Sequence, residues 1–338
     1  MHFRNWHQLE EKQIMTKAYS KVETTEGRSQ AHGSRLGLHC PVASLAGLRA
    51  AVNNGADGIL LDFDQPSSLR SHCAGHDQFQ ALARGIRYAA EQQVDTVLAI
   101  KACHLDASWS LARLAIDTAA DLRMDAVAMS DPALMLYTAA RYPDLQQHYT
   151  VPPSGVSAEA IGFLCKQIDI SRLVLPRMAS LSQVKRVAEY TGINVELVGF
   201  GPLCNIIDNL KPAFGLRDNE AVDWHSSPEA AYLDFAALNA SGGRCALDET
   251  PSNDHYYLDI GNADASALRL LPRLSDAGVR VLRIEAHVHS PVKLGQATKV
   301  WREAIDHCLE DREGYTVRMA WVERLSHLSP VLRVCHEG

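Results

Sequence analysis

Eight short apolar runs, each followed by an amphipathic stretch of 9–16 residues, dominate the chain from residue 36 onward. The runs span 36–40, 58–63, 96–102, 126–130, 149–152, 172–176, 195–200 and 279–286. The amphipathic stretches span 43–53, 78–91, 108–120, 132–141, 158–166, 181–190, 265–277 and 294–309. Strands that alternate with helices of this length pair in parallel through crossover connections. Eight such units are the number that closes a barrel, so the pattern predicts an α/β fold, a TIM-barrel-like (β/α)8. The competing arrangement is an open doubly wound sheet. No GxGxxG follows any of the apolar runs, which weakens its dinucleotide-binding form. Local signals agree with helices after the runs: Ser180 precedes Leu181, and Asp131-Pro132 sets a capping carboxylate before a first-turn proline.

The barrel is expected over 35–312. Residues 1–34 read as a polar N-terminal extension, because 21–35 carries no apolar period. One interval breaks the rhythm: residues 201–278 read as an insertion before the last strand, with a possible strand at 256–260. Residues 313–338 read as a C-terminal tail. With 46% hydrophobic residues in 338, a sizeable core is available.

Composition excludes some functions. Thirty-three basic residues against forty acidic ones leave a net charge of −7, so no chain-wide basic surplus exists to neutralise nucleic-acid phosphates. No apolar run is long enough to span a bilayer. The N-terminus MHFRNWHQLEEKQ lacks the apolar stretch of a secretory signal, so the expected location is the cytoplasm. Eight cysteines lie far apart with no CxxC pair, which argues against a disulfide framework and for small buried side chains.

Barrel enzymes place their chemistry at strand C-termini and in the loops that follow. Those positions hold Cys40, Asp62, Asp64, Lys101, His104, Ser130, Asp131, Ser154, Arg177, Cys204, Glu285, His287 and His289. Four are taken as a catalytic group: Lys101 and Arg177 as cations for an anionic substrate, Glu285 as a group that orients a cation or moves a proton, and His287 beside it. Glu285, His287 and His289 are two residues apart, so on a continued strand they share a face, and two imidazoles so placed can bind a metal. The bland alternatives are rim residues in solvent, a Glu285–Arg177 pair that holds the rim together, and aspartates that cap the next helix.

Several segments together carry a resemblance. They are His39-Cys-Pro-Val-Ala-Ser-Leu-Ala-Gly-Leu48, Asn54-Gly-Ala-Asp57, Asp169-Ile-Ser-Arg-Leu-Val-Leu-Pro-Arg177, Glu196-Leu-Val-Gly-Phe-Gly-Pro-Leu-Cys204, Arg283-Ile-Glu285, and the stretch from Ser290 to Cys308. In this order they resemble the collagenase-like peptidase family thirty-two, and within it the UbiU-type branch. The resemblance implies a TIM-barrel-like fold and that the peptidase label is poorly founded for this branch. It also implies a part in oxygen-independent hydroxylation of a ubiquinone precursor, with a UbiV-like relative as heterodimer partner. A 4Fe–4S cluster on four cysteines is implied as cofactor, thiolates being its natural ligands. Only Cys204 and Cys245 fall on those cluster positions; Lys211 stands where the second cysteine belongs, and the segment of the third is missing. The family's Ile-Glu-Gly-Arg has become Ile-Glu-Ala-His, with Glu285 kept.

Three functions follow: a divergent hydroxylation component acting on the ubiquinone precursor or a related aromatic small molecule; a cluster-free binding or scaffold subunit for a cluster-bearing relative; and a metal-dependent hydrolase built on Glu285, His287 and His289.

Overall fold

The computed structural model describes residues 36–62, 76–100, 106–152, 155–176, 179–200, 268–284, 290–326 and 328. Eight parallel strands close into one barrel in chain order. They are β1 (Gly37–Val42), β2 (Gly58–Asp62), β3 (Asp95–Ile100), β4 (Ala126–Met129), β5 (Gln146–Thr150), β6 (Arg172–Val174), β7 (Asn194–Phe200) and β8 (Val279–Ile284). Closure is made by β8 on β1, where Leu38 lies opposite Leu282 and His39 opposite Arg283. The helices outside the barrel are α1 (Leu45–Asn53), α2 (His76–Glu91), α3 (Asp106–Asp121), α4 (Pro132–Arg141), α5 (Ala158–Cys165), α6 (Leu181–Thr191), α7 (Leu271–Asp276), α8 (Pro291–Glu310) and α9 (Met319–Ser326). The expected (β/α)8 architecture is therefore present. Among the described residues no helix is long and apolar enough to cross a membrane.

Two apolar cores follow from strand alternation. Outward residues such as Leu38, Ile59, Leu98, Val127, Leu173, Leu197 and Leu282 pack under the helices in one large cluster. Inside the barrel a separate, smaller cluster contains Leu60, Val97, Ala126 and Ala128. The rest of the barrel interior is filled differently, as described below.

Helix starts obey local chemistry. Asp131 accepts from the backbone N–H groups of Ala133 and Leu134, with Pro132 in the first turn. Ser180 and Gln183 form a reciprocal capping box at α6. Ser290 caps α8, so that helix starts three residues before the apolar period suggests. Pro272 sits in the first turn of α7 (Leu271–Asp276), which falls within the helix expected over 265–277, whose first three residues lie outside the described residues. The sequence Gln-Gln-His-Tyr-Thr of β5 begins before the run expected at 149–152, because its polar residues are strand residues too. Residues 313–338, read as a tail, include α9, whose Trp321 is fully buried and donates from its indole N–H to Glu303 at 3.0 Å.

An aspartate immediately before a strand recurs as a brace. Asp57 accepts from the Leu38 N–H at 2.8 Å, tying β1 to the start of β2. Asp125 accepts from both the N–H and the hydroxyl of Thr96, tying β3 to the start of β4. Asp57 also takes Arg302 of α8 at 2.8 Å, while the same guanidinium reaches Asp306 at 2.7 Å. Gly55, at φ 93°, lies against the Arg302 stem, where a Cβ would collide with it. Arg302 is thus fixed between the first and last βα units. Asp57→Ala removes a backbone acceptor and the counter-ion of a mostly buried guanidinium together. The expected loss is about 2–3 kcal/mol of unfolding free energy, read from urea denaturation.

Candidate functional site

The barrel interior is built in layers of four side chains taken from alternate strands. Followed around the barrel, the register staggers by about one residue per strand. One layer then holds His39, Val97, His148 and Glu196, from β1, β3, β5 and β7. The layer toward the strand N-termini holds Gly58, Ala126, Arg172 and Val281. The layer toward the C-termini holds Leu60, Ala128, Val174 and Arg283. Such layers are ordinarily filled by Val, Ile and Leu. Here β2, β3 and β4 supply small or apolar residues, and β1, β5, β6, β7 and β8 supply a buried polar column.

Glu196 is at its centre. Its Oε2 lies 3.4 Å from Arg172 Nη1 and 3.4 Å from His39 Nδ1. Its Oε1 makes no hydrogen bond and stands 3.7 Å from Arg283 Nη1. One carboxylate therefore bridges a guanidinium from the layer below and one from the layer above. Arg172 Nη1 also lies 3.3 and 3.2 Å from the two ring nitrogens of His39. A neutral His39 can accept from Arg172 at a ring nitrogen, while its Nδ1 edge stands beside the Glu196 carboxylate.

Burial, and then the neighbouring positive charge of Arg172, hold the His39 and His148 imidazoles well below their usual pKa; His148 and Arg283 push His39 the same way. Both rings are neutral in the fold at pH 7. Gly58 makes room for His39, since a Cβ there would overlap the ring.

The residues picked from the sequence fare differently. Lys101, Arg177, Cys204, Cys245, Glu285, His287 and His289 lie outside the described residues, as do Asp64, His104 and Ser154. Two rim candidates take structural roles. Asp131 is a helix cap. Cys40 faces outward against Thr298 of α8, Sγ to Oγ1 3.5 Å, and burial pushes its thiol up to about 12. Among the described residues no group of three or more His, Cys, Asp or Glu is placed to hold a metal ion.

Sequence reasoning missed the column itself. The available signal was the alternation of each polar residue with apolar neighbours, as in Leu38-His39-Cys40 and Val195-Glu196-Leu197.

Four of the column's members, His39, Arg172, Glu196 and Arg283, stand within the segments that carried the family resemblance. Residues 43–333 match peptidase family U32. The chain belongs to peptidase family U32. Among curated relatives, tRNA hydroxylation protein P2 of Bacillus subtilis is 22% identical over 304 residues, covering 87% of this chain and 94% of that protein. A collagenase of Porphyromonas gingivalis is 23% identical over 294 residues, covering 80% of this chain and 65% of the collagenase. tRNA hydroxylation protein P of Escherichia coli is 20% identical over 331 residues, covering 86% and 72% of the two chains. In this U32 chain the barrel carries a charged interior.

Two stability predictions follow from the column. Glu196→Gln keeps the shape of the side chain but leaves two buried guanidiniums without their shared anion. The expected cost is about 3–5 kcal/mol, measured by chemical denaturation. The histidines set the pH response. Both are neutral in the fold and titrate near 6.5 when unfolded, so below that pH the unfolded chain binds more protons. Their contribution is complete above about 6.5 and is lost as pH falls toward the folded values, by up to about 1.4 kcal/mol per pH unit for each ring. His148→Gln is expected to flatten the acid limb of unfolding free energy against pH; an unchanged slope contradicts the assignment.

Proposed function

We propose that this chain is a component of an oxygen-independent hydroxylation system that acts on an aromatic ring. The likeness to a tRNA hydroxylation protein, which runs over 94% of that protein's length, is the observation that carries this reading. The UbiU-type segments favour a ubiquinone precursor or a related aromatic small molecule as substrate, in the cytoplasm, with a UbiV-like relative as partner. The net charge of −7 favours a small substrate in the same way. tRNA is the second reading, favoured by the names of four relatives.

In either case the reaction belongs at the C-terminal end of the barrel, where Lys101, Arg177, Glu285 and His287 follow strands or strand-end segments in the sequence. The two cations would hold an anionic substrate, and Glu285 would hold or move a proton.

The resemblance brings a 4Fe–4S cluster with it. The donor set does not fit one: two cysteines, Cys204 and Cys245, stand where four are needed. The described cysteines do not supply the rest, since Cys40 and Cys308 are buried in the outer core and burial raises the Cys165 thiol to about 11. The full chain purified anaerobically is expected to hold well under four irons per chain, measured by metal analysis. About four irons, lost in Cys204→Ala, would overturn this.

The function is tested in cells lacking the gene and grown without oxygen. Mass spectrometry of quinone intermediates and of tRNA nucleosides is expected to show one ring that lacks its hydroxyl. An unhydroxylated quinone precursor supports the first reading, and an unhydroxylated tRNA nucleoside the second. Unchanged profiles of both would refute hydroxylation.

A further inference from the structure

Two polar groups inside the barrel are buried without a hydrogen bond, and they are neighbours. Glu196 turns Oε2 toward Arg172 and His39, while its Oε1 makes no hydrogen bond. Among the described residues the His148 imidazole makes none either. Solvent reaches 1% of Glu196 and 2% of His148. The two side chains come from β7 and β5, stand next to each other in one layer and face the barrel axis. Leaving such groups unpaired away from water costs free energy that an aliphatic filling avoids.

The filling above them is small. Toward the strand C-termini, the β3, β4 and β5 walls carry Ala99, Ala128 and Thr150, where barrel interiors ordinarily hold Val, Ile and Leu. Ala99 and Thr150 are already partly exposed, so the layer of Ala128 alone separates His148 from the mouth. Beside and below His148, Val97 and Ala126 continue the apolar wall.

The two polar groups define what they can receive. A carboxylate oxygen only accepts, and a neutral imidazole offers one donor and one acceptor. A hydroxyl matches the pair, since it donates to Oε1 and accepts from the imidazole N–H. A carboxylate or phosphate has no proton to donate and meets like charge at Glu196. A hydrocarbon leaves Oε1 unpaired. The apolar walls suit a compact carbon body behind the hydroxyl.

We infer that His148 and Oε1 of Glu196 form an internal site for the hydroxyl group of a small uncharged alcohol or phenol that enters from the barrel mouth. The inference goes beyond the hydroxylation reading and does not rest on it: the site is defined by the interior layers, whatever reaction takes place above them.

The test is titration of the full chain, isotope-labelled on histidine, with phenol, cyclohexanol and toluene, followed by calorimetry and by the ring-nitrogen resonances of His148. Phenol or cyclohexanol is expected to bind and to move those resonances. Binding of phenol alone makes the ligand aromatic, of cyclohexanol alone aliphatic, and of both any compact hydroxyl compound. Toluene, which has phenol's shape without the hydroxyl, is expected to bind at least about tenfold more weakly, the worth of a buried hydrogen bond. His148→Leu gives up no hydrogen bond within the protein and is expected to fold, with affinity for the hydroxyl probe down by about tenfold.

Wild-type protein that binds neither hydroxyl probe overturns the inference. Toluene bound as tightly as phenol and cyclohexanol overturns it too, because the interior is then a plain apolar cavity. A folded His148→Leu with unchanged affinity has the same force. If His148→Leu does not fold, the wild-type resonances decide: movement with the hydroxyl probe and none with toluene supports the inference, and no movement with either hydroxyl probe overturns it. These outcomes separate from those of the gene deletion, which reads ring chemistry and not binding inside the barrel.

Discussion

A single carboxylate, Glu196, holds the interior of this barrel together. It faces guanidiniums from two different layers and a neutral imidazole from a strand on the far side of the closure. Its neighbours come from β1, β6 and β8, so the pairing β8–β1 that closes the barrel and the pairing β6–β7–β8 beside it meet at one charge. An aliphatic layer would tolerate many substitutions of similar volume. This layer does not, because each member satisfies another. Replacing one of them leaves a buried charge or donor without its complement. Gly58 belongs to the same constraint, since the His39 ring occupies the space where its side chain would be.

The outside of the barrel obeys ordinary rules. The α8 helix buries Leu294, Ala297, Trp301, Ala304, Ile305 and Cys308 at helical spacing against the strands and α1. Thiols there serve as small apolar groups. Burial raises both Cys40 and Cys308, so neither offers a thiolate near neutral pH. The contrast between a conventional shell and a charged interior separates what the fold requires from what a site requires.

The architecture was legible because parallel barrel strands are apolar on their outer faces and each is followed by an amphipathic helix. Seven of the eight strands could be placed from their apolar runs. The β5 strand was misplaced because Gln146, Gln147 and His148 look like a loop when only apolarity is counted. A boundary moved where a cap outranked periodicity, as at Ser290. The column was not legible for a different reason. His39 and Arg172 are 133 residues apart, and nothing in either local sequence says that they meet. Their meeting depends on the stagger of the barrel, which is a property of all eight strands together. Most of the rim positions read from sequence lie outside the described residues. Yet Asp131 and Cys40 show that a polar or sulfur-bearing residue at a strand end is often satisfied by capping or packing.

The latch between Asp57 and Arg302 has a consequence for how the chain is made. It joins residues 245 positions apart, beside the strand pairing that seals the ring. During vectorial synthesis the first strand emerges long before its last partner exists. Its outer edge must wait, unpaired, and Asp57 must wait for Arg302, until nearly the whole polypeptide has left the ribosome. Contacts of such sequence separation slow folding and prolong the lifetime of an open, edge-exposed sheet. The eight-unit ring therefore behaves as one cooperative object: a nascent or truncated chain that stops before the eighth strand and its helix has no way to retire that edge, and is a natural substrate for chaperones.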